Sequence, residues 1–223
     1  MWCIPELDAE YVSKMEDVLA VYEKPYRAAE PVLCLDEKPV SLHAEVRAPV
    51  PAGPGQIAQR DSEYKRCGTA NVFCAVEPKA GRHFTFPTPD RSAPELARAL
   101  ERIIGNYPFA RTIHLVMDNL NIHCRKTLTD HFGQEWGKYL WNRLRVHYTP
   151  KHGSWLNQAE IEIGLFARQC LGTRRVPSLA QLKREARAWN RKVNREKLVI
   201  DWQFTRKAAR EKFGYDKNSF TRS

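Results

Sequence analysis

Asp36 closes the apolar run Val32-Leu33-Cys34-Leu35, Asp118 closes Ile113-His114-Leu115-Val116-Met117, and Glu160 ends Ser154-Trp155-Leu156-Asn157-Gln158-Ala159-Glu160. Short apolar runs of this kind read as strands covered on both faces, and the segment beyond Ser154 reads as a helix. Two strand-end aspartates with a helical glutamate form the donor set a hard divalent cation such as Mg²⁺ takes, a few carboxylates completed by substrate phosphate oxygens. Carboxylates held that close repel one another unless cations neutralise them. Two such cations about 3.5–4 Å apart activate an attacking hydroxyl and stabilise the leaving oxygen of an in-line displacement at phosphorus. Taken singly, each aspartate reads first as a turn former or a helix cap. Only the set of three points to a metal site.

The elements that must position these acids can be read along the chain. Residues 8–23 pattern as a helix with Asp8 as cap and Val12, Met15, Val18, Leu19 and Tyr22 at helical spacing, stopped by Pro25 and Pro31. A strand over 32–36 follows, then a long polar loop or hairpin over 47–70, rich in proline and glycine. Strands are predicted at 71–77 and 82–86, turned by Pro78-Lys79-Ala80-Gly81. A helix begins at Ser92 with the stripe Leu96, Ala99, Leu100, Ile103 and Ile104. Beyond it come a strand at 112–118, helical material over 122–142, a strand at 144–149, and helices at 157–171 and 178–196. The order predicts an α/β domain, a mixed sheet with helices on its faces. It divides the chain into a helical lead-in at 1–30, a main domain at 31–213 with the loop insertion, and a flexible tail at 214–223.

Composition bounds the function. A chain of 223 residues holds one full-sized core. Lys plus Arg number 36 against 26 Asp plus Glu, and the excess is uneven: residues 1–30 carry seven acids and three bases, 134–223 eight acids and twenty bases. A basic half suggests a polyanionic partner, since neutralising phosphates releases their counterions; a merely solubilising surface is the plainer reading. The six cysteines occur singly with no Cys-x-x-Cys pair, a reduced, cytosolic pattern. Histidines and cysteines are too scattered for a zinc site. The start Met1-Trp2-Cys3-Ile4-Pro5 lacks the pattern of a signal peptide, and no apolar run is long enough to span a bilayer.

The segments Leu35-Asp36-Glu37-Lys38, Met117-Asp118-Asn119-Leu120-Asn121-Ile122-His123 and Thr149-Pro150-Lys151-His152-Gly153-Ser154 through Glu160 together resemble the transposases with an Asp-Asp-Glu triad. The match is to the bacterial insertion-sequence branch of the mariner superfamily, over about residues 1–213. The resemblance implies a ribonuclease H-like fold with a five-stranded sheet and a DNA transposase that cleaves an element's ends and transfers the strand to target DNA. It implies two Mg²⁺ ions, with Mn²⁺ as substitute, Asp36 bridging both, and Asp118 and Glu160 each holding one. Asn157 matches an asparagine three residues before the glutamate, and Asn119 accompanies Asp118. Glu162 competes with Glu160 but lies about 200° away around a helix, so the two cannot share the site. The stretch between Asp118 and Glu160 is longer than usual for mariner relatives, and the extra length falls at 130–142.

The implied partners are transposon ends and target DNA, with a homodimer on DNA and a cytoplasmic, nucleoid-associated setting in a bacterium. Family members usually carry an N-terminal helix-turn-helix that reads the inverted repeats, for which the stretch before Asp36 is too short. A separate polypeptide, a truncated copy or an isolated catalytic domain each accounts for that, and each implies weak sequence-specific binding by this chain alone. Candidate DNA contacts are Arg60, Lys65 and Arg66 in the loop, Lys151, His152 and Trp155 beside the third motif, and the helix face Lys183, Arg187, Arg191 and Arg195; a solvated charged surface is the plain alternative for each. Glu37 should face away from Asp36 and pair with Lys38, while His123 and His152 read first as helix-surface or loop histidines, the alternative being that they touch phosphate or orient a ligand. Two rival functions share the acids: a simple ribonuclease H-type nuclease and an inactive DNA-binding remnant.

Overall fold

The computed structural model describes residues 7–216. Cys3 and the other residues of the chain start, and positions 217–223 of the expected tail, lie outside them. The first helix, α1 (Ala9–Glu23), opens at Asp8, whose carboxylate accepts the Tyr11 N–H at 2.7 Å, and it buries Met15, Val18 and Leu19 completely. Five strands follow: β1 (Val32–Glu45), β2 (Tyr64–Glu77), β3 (Arg82–Thr88), β4 (Ile113–Met117) and β5 (Leu144–Tyr148). They form one sheet in the order β3-β2-β1-β4-β5, antiparallel on the β3-β2-β1 side and parallel from β1 to β5.

Both strands expected to be short at the sheet centre are longer than their apolar runs. β1 continues to Glu45 rather than ending at Asp36, and β2 begins at Tyr64 rather than at 71. The cause is mutual pairing: residues 37–45 have no parallel neighbour, since β1 pairs with β4 only at 32–34, but they pair with β2, and from Val40 and Ala70 outward the two form a two-stranded arm. In β2, residues 64–69 are exposed and carry no hydrophobic signal to read, whereas β1 beyond Asp36 buries only Val40 and Leu42. The loop therefore shrinks to 46–63, with bridges Val50 to Gln59 and Gly53 to Gln56. Arg175 holds it, ion-paired to Glu45 at 2.5 Å and donating to the carbonyls of Asp61, Ser62 and Glu63.

Alternation along β1 splits its side chains between two cores. Leu33 and Leu35 face α2 (Ala93–Gly105) together with Phe73, Leu115 and Met117, while Cys34 faces α1 with Val76 and Val116. On that second face, farther along the arm, Val40, Val72 and Cys74 pack against Phe166 and against Leu182, Ala186, Trp189 and Val193 of α6 (Leu179–Glu196). Ser92 occupies the N-cap of α2, but its side chain makes no cap bond; Asp90 accepts the Ser92 N–H at 2.9 Å instead. The expected helix at 122–142 is two, α3 (Arg125–Phe132) and α4 (Gln134–Asn142), separated where Gly133 takes a left-handed φ of 82°. A final helix, α7 (Arg206–Phe213), was not expected, and the tail does not begin at 214: Tyr215 is buried and its hydroxyl donates to Glu16. Among the described residues no helix is long and apolar enough to cross a membrane.

Candidate metal centre

Parallel pairing of Cys34 with Val116 sets the register that matters. Two residues beyond that pair, where β4 ends, stand Asp36 and Asp118, each on the side of its strand that carries Cys34 and Val116. Neighbouring strands lie about 4.8 Å apart, so the two carboxylates share one end of the parallel sheet. Asp36 is thus a mid-strand residue at the point where β1 leaves its parallel neighbour.

Glu160 arrives from α5 (Ala159–Phe166), which lies over β1 and β2. Asn157 was expected on the same helical face, yet it precedes the helix in extended conformation after a 3₁₀ turn at Ser154–Leu156. Its amide links the two segments. Nδ2 donates to the Leu35 carbonyl at 2.8 Å and approaches Asp36 Oδ2 at 3.4 Å, while Oδ1 accepts the Ala159 N–H at 3.1 Å. Glu162 turns the other way. It is fully buried and meets His83 Nδ1 of β3 at 2.6 Å, whereas Glu160 is exposed at the mouth.

The electrostatics of Asp36 reflect its acidic surroundings. Burial pushes the Asp36 carboxyl up to about 7, and the negative charges of Glu37, Glu160 and Asp118 push in the same direction against a hydrogen bond from the Glu37 N–H.

Glu37 faces away from Asp36, as expected, but its partner is not Lys38. Its carboxylate accepts from His123 Nε2 at 2.8 Å. His123 is not a surface histidine: its ring is enclosed, with Nδ1 donating to the Asp118 carbonyl at 2.9 Å. The same Nδ1 stands 2.6 Å from Asp118 Oδ1, but its N–H points at the carbonyl, which leaves Oδ1 buried without an aligned hydrogen bond. Burial opposes charging of the ring; the bonds to Asp118 and Glu37 outweigh it and push His123 up to about 10. Glu37, Asp118 and His123 bring donor atoms within 4.8 Å of one another. The spacing Asp118 to His123 was the available signal, since a five-residue turn can fold a histidine back on its first residue.

The remaining expected residues separate into two groups. Asp118, Asn119, Lys151 and His152 line an open groove of about 830 Å³ that runs past Tyr11 and Lys14 of α1, and Lys65 and Arg66 are exposed on the arm. Trp155 is instead part of the interior, edge-on to Phe204 at 5.4 Å with its indole N–H toward the Tyr11 hydroxyl. Arg60 is engaged by Glu45 at 2.8 Å and by the Thr173 carbonyl. Of the candidate face on α6, Arg187, Arg191 and Arg195 are exposed and Lys183 is half-buried.

A five-stranded mixed sheet with helices on both faces and acids gathered at the end of its central parallel strands defines an α/β domain of ribonuclease H type. The model of the DDE superfamily endonucleases matches residues 31–183, and the chain belongs to that family. Solved structures agree in fold. The Mos1 mariner paired-end complex with Mn is similar at a TM-score of 0.53 and 15% identity, covering 89% of this chain and 61% of that one. A pre-cleavage Mos1 transpososome is similar at 0.53 and 14%, covering 91% and 67%. The chain thus spans about three fifths of the length of the first of these. No curated protein matches it.

Proposed function

We propose that this chain is the catalytic domain of a DNA transposase, cutting the ends of a mobile element and joining them to target DNA with divalent metal. The observation that carries the reading is the convergence of Asp36, Asp118 and Glu160, with Asp36 pushed up to about 7 by burial and, after it, by the charges of Glu37, Glu160 and Asp118, and Asp118 Oδ1 lacking an aligned partner. Those are the marks of carboxylates arranged for cations. When bound, a pair of Mg²⁺ or Mn²⁺ ions would activate the attacking hydroxyl and stabilise the leaving oxygen. Asp36, Asp118 and Glu160 would hold the ions. Asn157 holds the Leu35 carbonyl just before Asp36 and approaches the Asp36 carboxylate. Lys151 and His152 border the groove and would carry the DNA backbone toward the acids. Family membership and the likeness to Mos1 complexes support DNA as substrate.

The test uses DNA carrying the element's own ends. Wild type with Mg²⁺ or Mn²⁺ should yield joined strand-transfer products from pre-nicked ends, and Asp36→Asn should yield none. Cleavage without joining would make the chain a simple nuclease. Inactivity with both metals on every substrate would make it a DNA-binding remnant. A homodimer on DNA and a separate helix-turn-helix partner belong to the same proposal. Weak, salt-sensitive binding to inverted-repeat DNA by this chain alone is the expected result, and tight sequence preference would count against that partner.

A further inference from the structure

The role of His123 goes beyond the three acids. Its ring is fully enclosed, and each nitrogen faces only oxygen acceptors: the Asp118 carbonyl and carboxylate on the Nδ1 side, Glu37 on the Nε2 side. The turn that carries it is closed by its own N–H to the Leu120 carbonyl at 2.8 Å, by the Tyr148 hydroxyl to its carbonyl at 2.6 Å, and by the Thr127 hydroxyl to the Ile122 carbonyl at 2.5 Å. Glu37, 5% exposed in its side chain, lies on the opposite face of β1 from Asp36. It therefore serves the acids through the ring rather than by joining them. An imidazole bonded at both nitrogens between two strands cannot turn without breaking a charge-assisted bond.

We propose that His123 is a positioning residue that fixes Asp118 at the end of β4 in the orientation the metal requires, with Glu37 on β1 anchoring the far side of the ring. β1 and β4 carry the two aspartates, so the Glu37–His123–Asp118 chain ties their ends together across the sheet. The inference rests on reading Asp118 as a metal-bearing acid. Ligands of a metal are commonly oriented by such outer partners, and their loss costs about 10–100-fold in affinity.

The two nitrogens can be tested separately on the full chain. An asparagine amide at 123 stands in for Nδ1 and keeps the bond to Asp118; a glutamine amide stands in for Nε2 and keeps the bond to Glu37. Mn²⁺ alone is titrated calorimetrically at pH 7.5, and thermal melts in EDTA report folding. His123→Ala and His123→Gln are expected to bind Mn²⁺ at least about tenfold more weakly than wild type, while His123→Asn stays close to wild type. Should His123→Ala fail to fold, the Asn and Gln variants decide, and Glu37→Ala should weaken Mn²⁺ binding several-fold. Losses that follow thermal stability equally in Asn and Gln would leave the ring a packing element and overturn the proposal. If Asp118→Asn loses binding and His123→Ala does not, the positioning role alone falls. If wild type takes up no Mn²⁺, or Asp118→Asn binds as wild type does, the metal-site reading falls and the positioning role with it.

Discussion

Glu162 and His83 meet at 2.6 Å between α5 and the edge strand β3, with both side chains closed to solvent. That contact occupies the acid that competes with Glu160 for the metal position. Burial raises the Glu162 carboxyl and the His83 ring works against it; burial opposes charging of His83 and the Glu162 bond raises it. Removing one partner of such a pair strands the other, at about 3–5 kcal/mol. Glu162→Ala should therefore lower stability by that order in chemical denaturation. Glu160→Gln, at the exposed mouth, should leave stability near wild type and abolish metal-dependent cleavage. The opposite pattern would exchange the roles of the two glutamates.

Asp36 gives a pH dependence of definite sign. Its folded value, about 7, lies above its unfolded one, so the native state holds the extra proton and is favoured at low pH. In EDTA this group's contribution falls as pH rises through the interval up to about 7. The penalty above it is at most about 4 kcal/mol, from roughly 1.4 kcal/mol for each unit. Asp36→Asn should melt higher than wild type in EDTA at pH 8 and no higher at pH 4. Mg²⁺ should erase the difference and, between pH 5 and 7, release a proton on binding. Equal melting of the two proteins in EDTA at pH 8 would show that Asp36 carries no strain.

Asn157 is required as a donor. Asn157→Ala removes its bonds to the Leu35 carbonyl and the Ala159 N–H, and should cost about 1–3 kcal/mol while weakening Mn²⁺ binding. Asn157→Asp is close in size but sets a carboxylate against the Leu35 carbonyl and Asp36. It should be the less stable of the two above pH 7, as read by urea midpoints, and an aspartate variant as stable as wild type would refute the assigned amide orientation.

The basic candidates should separate in a salt titration of DNA binding. Lys65, Arg66 and Lys151 are exposed, and replacing each with alanine should flatten the dependence of affinity on salt by about one unit of slope per lost phosphate contact. Arg60→Ala should act through the arm it pins to Glu45, lowering stability with little change in slope. Trp155→Ala should cost about 3–5 kcal/mol as a core truncation. If Trp155→Ala folds stably and loses only DNA affinity, the tryptophan is a base-stacking platform.

The apolar runs at 32–35 and 113–117 and the helical stripes at 8–23, 92–104 and 178–196 determined the mixed α/β order and the strands that lead to Asp36 and Asp118; that those strands are neighbours, which brings the two acids together, came from the tertiary structure. Side-chain period and burial are local properties of sequence, and the strand-end acids inherit their position from them. The arm formed by residues 40–45 and 64–70 was not legible, because residues 64–69 of β2 are exposed and are held by pairing with β1, which buries only Val40 and Leu42 there. The division of the 122–142 helix at Gly133 and the burial of Tyr215 against Glu16 likewise depend on what lies across the fold. At the site, the sequence supplied Asp36, Asp118 and two competing glutamates. The tertiary structure alone decided that Glu162 is spent on His83, that Asn157 reaches Asp36 from a turn, and that Glu37 meets His123, since these contacts join residues 79, 121 and 86 positions apart whose geometry no local pattern encodes.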